Sequence, residues 1–114
     1  MQIAAFRIAD LARSQEFYCD GLGFTVDWVW RHEPGFPAFA SVSREGHTLY
    51  LTEHPECEPG ALTYLYVGDV DAWDAAFRAG GVEPDFGPVT QPWGLREIQI
   101  IDPDGNKIRV VTRV

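Results

Sequence analysis

The feature that most constrains this chain is that its second half repeats the element order of its first. Gln2 to Ile8 reads as a strand, and Asp10 then offers an N-cap to a helix running to about Cys19, with Leu11, Phe17 and Tyr18 available to face a sheet. Asp20-Gly21-Leu22-Gly23 stops that helix. Extended segments follow at Phe24 to Arg31, Phe39 to Ser43 and Thr48 to Glu53, separated by the breaker cluster Glu33-Pro34-Gly35-Phe36-Pro37 and by the turn Glu45-Gly46. From Ala61 the order begins again. Leu62 to Val67 is a strand, Asp69 a second N-cap, and Val70, Trp73 and Phe77 fall at i, i+3 and i+7 on one helical face before Gly80-Gly81 ends it. Val82 to Phe86 is expected as a weak strand broken by Pro84. Arg96 to Ile101 and Lys107 to Thr112 are strong ones, with Asp102 to Asn106 supplying the turn between them.

Two βαβββ units therefore run in tandem. The expected fold is α+β: two modules, each a curved four-stranded mixed sheet with one helix, paired into a cleft. At 114 residues there is room for one domain, residues 1–114. Module 1 spans about 1–53, a linker 54–60, and module 2 about 61–114. Four Trp, four Tyr and seven Phe are more than one small core usually absorbs, so some are expected to line a groove or a subunit interface.

The formal charge of −8, without any Lys/Arg cluster, excludes nucleic acid as an expected partner and favours a cationic ligand. Most acids nevertheless read as solvated surface, with Glu53, Glu56, Glu58 and Asp85 as those able to add negative potential to a cleft. Cys19 and Cys57 fit no metal spacing and no secretory signal precedes them, so the thiols are expected reduced and the protein cytoplasmic. No apolar run is long enough to span a bilayer.

Gln91-Pro92-Trp93-Gly94-Leu95-Arg96-Glu97 carries the strongest local signal. Pro92 fixes φ on one side of Trp93 and Gly94 frees the backbone on the other, which holds an indole at a strand entrance where a flat ligand can stack. Strand alternation puts Trp28 with Trp30 on one face, and Tyr64 with Tyr66 on another. One member of each pair is expected in the core.

Asp10-Leu11 through Phe17-Tyr18, Gly21-Leu22-Gly23-Phe24, Gln91-Pro92-Trp93-Gly94 with Arg96-Glu97, and Asp102-Pro103 with Gly105-Asn106 together resemble the glyoxalase/bleomycin resistance protein superfamily (the vicinal oxygen chelate fold) over essentially the whole chain. The Pro-Trp-Gly/Arg-Glu element is closest to its bleomycin resistance branch. That resemblance implies a homodimer whose modules build cup-shaped clefts. In the enzyme branches these hold a divalent metal, and in the bleomycin resistance branch they sequester a cationic aromatic antibiotic unaltered. It also implies ligand-binding roles for Trp93 with Gly94, and more loosely for Trp30, Phe36 and Phe39.

The positions matching the family's metal ligands are Ile3, Tyr50, a Leu62 to Val67 strand without His or Glu, and Arg109, so neither a metal nor any other cofactor is expected. A different site built from His32, His54 and Glu53 is the alternative, against which loop histidines are the plainer reading. Ser14, Ser41 and Ser43 have no nucleophile-elbow context, and Asp69/Asp71 and Asp102/Asp104 are explained by capping and turns. The expectation is a non-catalytic binding protein. The alternatives are a superfamily enzyme (a lyase, isomerase or dioxygenase) with an unconventional or absent metal site, and a structural module with a vestigial cleft.

Overall fold

The computed structural model describes residues 2–114. Its first sheet contains β1 (Ala4–Arg7), β2 (Thr25–Trp30), β3 (Phe39–Arg44) and β4 (His47–Thr52), ordered β1-β4-β3-β2. The second repeats that plan with β5 (Leu62–Tyr66), β6 (Phe86–Thr90), β7 (Leu95–Ile101) and β8 (Lys107–Arg113), ordered β5-β8-β7-β6. In each sheet the first strand runs parallel to the last, because a helix carries the chain across. These helices are α1 (Leu11–Gln15), continued by a wider π-helical turn over Glu16–Gly21, and α2 (Val70–Ala79). The fold is thus two four-stranded mixed sheets, each with its helix.

Both helices start where the aspartates predict. Asp10 accepts from the Ala12 N–H, and Asp69 from those of Asp71 and Ala72; each cap is worth about 1 kcal/mol. Leu11, Tyr18, Val70, Trp73 and Phe77 are buried against the sheets, while Phe17 packs half-buried at the margin. Two elements differ from expectation. The first helix changes to a π turn at Glu16 instead of staying α-helical to Cys19. The strand expected at Val82 to Phe86 lies instead at Phe86–Thr90: the Val82 N–H bonds the Phe77 carbonyl at the end of α2, Pro84 has no N–H, and pairing with β7 begins only when Asp85 N–H reaches the Gln99 carbonyl.

One apolar core joins the modules. The β3–β4 turn reaches the second helix, with the Arg44 guanidinium 4.3 Å from the centre of the Trp73 ring and His47 edge-on to the same ring. The β7–β8 turn returns the contact. Asp102 accepts from Tyr18 Oη at 2.7 Å, Asp104 pairs with Arg13, and Asn106 Nδ2 donates to the Arg7 carbonyl. The ends of the two helices abut so closely that a Cβ on Gly80 would overlap the Gly21 carbonyl oxygen. The chain measures 47 × 26 × 23 Å, and β1 and β5 flank a hollow of about 220 Å³ between the sheets. The modules therefore lie side by side, with β2 and β6 at opposite ends.

Candidate functional site

Each helix covers one face of its sheet, and the opposite face of each stays open. On the first sheet that face is aromatic. The register sets Trp28 beside Ser41, Ser41 beside Tyr50, and Phe39 beside Thr52. Trp28 and Phe39 stack with planes 9° apart and centroids 5.8 Å apart, and the Tyr50 ring lies 5.5 and 5.2 Å from them. Asp27, at a bulge in β2, accepts from Ser41 Oγ and Ser43 Oγ, which ties that edge strand down. Beyond this triad, Trp30, His32 and Phe36 form a second chain of rings with centroids 6.3 and 5.3 Å apart. An apolar recess of about 170 Å³ between Ala5, Phe39, Thr52, His54, Glu56 and Cys57 adjoins the triad.

The open face of the second sheet is polar at its centre and aromatic at its margin. Glu97 is 1% exposed, and its carboxylate accepts from Trp93 Nε1 at 3.1 Å and Gln91 Nε2 at 3.3 Å. Trp93 occupies the β6–β7 turn, which Gly94 N–H closes on the Gln91 carbonyl with Gly94 at φ +88°. Its indole is 63% exposed although its N–H is anchored. Next along the sheet, Gln99 Nε2 donates to Asp85, Arg109 Nε donates to Gln99 Oε1 at 2.8 Å, and Arg109 Nη1 donates to Tyr64 Oη at 2.8 Å.

Of the residues singled out in the sequence, Phe39 joins the triad, Trp30 and Phe36 share a patch at 53% and 46% exposure, and Trp93 with Gly94 sits at the far end of the other sheet. The chain does not bring the two groups together. Trp28 and Trp30 are both exposed, as are Tyr64 and Tyr66, so the core member expected of each pair does not exist. The helix lies behind the sheet, and every second residue of β2 and β5 faces away from it. Glu53 is committed to the backbone, since its two carboxylate oxygens accept from the Leu11 and Ala38 N–H groups. Tyr50, Trp28 and the Arg109 relay were not singled out as site residues. The alternation of β2 and β4 pointed to the first two, whereas the relay depends on the register of three strands.

A metal site does not fit this donor set. Parallel pairing puts Ala5, two residues beyond Ile3, opposite Tyr50, and puts Tyr64 opposite Arg109. A methyl group, two phenols and a guanidinium supply neither the charge nor the ligands that a divalent ion requires. Among the described residues no three His, Cys, Asp or Glu side chains converge as a cation site, and the Glu53 contacts remove it from a set with His32 and His54.

Comparison with known proteins places this architecture. The family described as glyoxalase superfamily protein matches residues 1–114. The chain belongs to that superfamily. Among glyoxalase superfamily relatives, the bleomycin resistance protein of Geobacillus stearothermophilus is 29% identical over 124 aligned positions, covering 93% of this chain and 91% of that protein. An antibiotic binding protein from Streptomyces sp. CB03234 superposes with a TM-score of 0.77 at 28% identity, covering 100% of this chain and 95% of the other. A bleomycin-binding protein complexed with bleomycin shares the fold at a TM-score of 0.80 and 19% identity, over 100% and 98% of the two chains. Among the described residues, no helix is long and apolar enough to cross a membrane.

Proposed function

We propose that this chain is a non-catalytic binding protein that sequesters a flat, cationic aromatic antibiotic of the bleomycin type in the cytoplasm, acting as a homodimer. The observation that carries this reading is Trp93, an indole held by Glu97 and yet left mostly bare at the edge of an open sheet. Holding the N–H fixes the plane of the ring, so a stacking ligand finds it already oriented; such a contact is worth on the order of 1 kcal/mol beyond the buried area, and more for a cation. Relatives named as bleomycin resistance and antibiotic binding proteins support the class of ligand. Sequestration needs affinity and abundance, and it requires no group to take part in chemistry.

The placement of the aromatics supports the dimer. The triad and Trp93 lie on different sheets, the triad on strands β2 to β4 and Trp93 in the β6–β7 turn. A second copy, turned so that its second sheet covers the first sheet of its partner, brings Trp93 from one chain opposite Trp28, Phe39 and Trp30 from the other.

Titration of tryptophan fluorescence with bleomycin tests the reading. The expected result is saturable quenching that Trp93→Ala weakens by about tenfold or more, about 1.4 kcal/mol, while Trp73→Phe leaves it in place. Absence of quenching in the unmodified protein refutes bleomycin binding. Stoichiometric zinc, nickel, iron or manganese in purified protein, with function lost on chelation, would favour the enzymatic alternative.

A further inference from the structure

Among the described residues Arg109 is a cation without a carboxylate partner, built into the middle of an open face. No acidic oxygen lies within ion-pair distance of its guanidinium. On that face Asp85 is linked to it only through the neutral amide of Gln99, which accepts from Arg109 Nε and donates to Asp85. Tyr64 Oη holds Nη1, and the guanidinium carbon lies 5.6 and 5.7 Å from the centres of the Tyr64 and Phe86 rings. Nη2 takes no partner among the described residues. The group is thus held on two of its nitrogens and lies near two rings, with Nη2 left to donate to a ligand.

Its surroundings strengthen the field. Lys107, Arg109 and Arg113 alternate along β8 on the same open side, three of the nine basic residues of a chain whose formal charge is −8. The other acid there, Glu97, is turned toward Trp93 and Gln91. A planar guanidinium whose Nη2 is unpartnered can donate to a carboxylate oxygen, and the neighbouring Tyr64 and Phe86 rings offer faces to a flat body attached to it.

We infer that Arg109 is the recognition point for the anionic oxygens of an aromatic acid laid across the open face of the second sheet. This rests on reading that face as a ligand surface, and it adds an acidic group to the chemistry of the guest, alongside any cationic portion.

The test compares 2-naphthoate with 2-naphthamide, which share a ring system and differ in charge. Calorimetric titration of the unmodified protein is expected to give at least tenfold tighter binding of the acid, shrinking as salt is raised. The Arg109 Nε–H resonance in a 15N-labelled sample should move with the acid and not with the amide. Arg109→Gln should bring the acid down to the amide level while amide binding stays unchanged. Equal binding of the two probes by the unmodified protein, binding of neither, or a preference that survives Arg109→Gln overturns the inference. The first comparison needs no variant, so misfolding of a substituted chain does not shelter it. Bleomycin quenching without acid preference removes Arg109 and leaves the sequestration reading. Acid preference without bleomycin quenching supports Arg109 and removes that antibiotic.

Discussion

Tyr18 shows how much one side chain can carry in a chain of this size. Its ring is fully buried between Phe17 and Phe24, and its hydroxyl donates to Asp102 from the other module. Burial, then the nearby Asp102 charge, push its ionisation well above that of an ordinary phenol. The folded state therefore keeps the proton after the unfolded chain has lost it. The resulting stability is fully present below about pH 10, the unfolded value, and falls as pH rises above it. Tyr18→Phe is expected to lose about 2 kcal/mol at neutral pH and to be free of the alkaline decline due to this group, measured by urea denaturation at a series of pH values. The sequence announced Tyr18 as sheet-facing and Asp102 as a turn residue, and both statements hold. Their bond to each other joins residues 18 and 102, and nothing local encodes a pairing of that separation.

Local chemistry made most of the elements legible and explains those that were not. Asp10 and Asp69 cap because a short carboxylate before an apolar-periodic run satisfies free N–H groups at once. The β6 strand was displaced because its pairing is set by the partner β7 and by Pro84, whereas the apolar residues Val82 and Phe86 suggested otherwise. The glycines after each helix were legible as stops. Their second role appears only in three dimensions, where the two helix ends meet and Gly80 has no space for a methyl group beside the Gly21 carbonyl. Gly80→Ala keeps an allowed backbone, with φ at −82°, so any loss comes from crowding. It is expected to cost about 2 kcal/mol or more, read as a lowered thermal midpoint with unchanged far-ultraviolet dichroism at low temperature.

At the scale of the molecule, the duplicated modules share one core behind the sheets and leave broad aromatic surfaces in front of them. Trp28, Trp30, Phe36, Tyr64, Tyr66 and Trp93 are all substantially exposed in the single chain. So much ring surface on a small protein is what the proposed dimer would cover. Sedimentation equilibrium is expected to give twice the chain mass, and Trp30→Glu to shift the protein toward monomer. A monomer at all concentrations, with ligand binding intact, would refute the shared cleft. The sequence disclosed that these rings exist and alternate on their strands. It did not disclose that Trp93 and Trp30 stand at opposite ends, because that follows from strand order within each sheet.

The side-by-side seating of the two sheets has a further consequence for any cell that relies on this protein. If the protein sequesters a toxic ligand as proposed, and every pocket draws one wall from each of two polypeptides, then below the concentration at which chains associate, protection declines with the square of expression. A producer of small amounts would gain almost nothing, and resistance would set in abruptly once synthesis crossed that level.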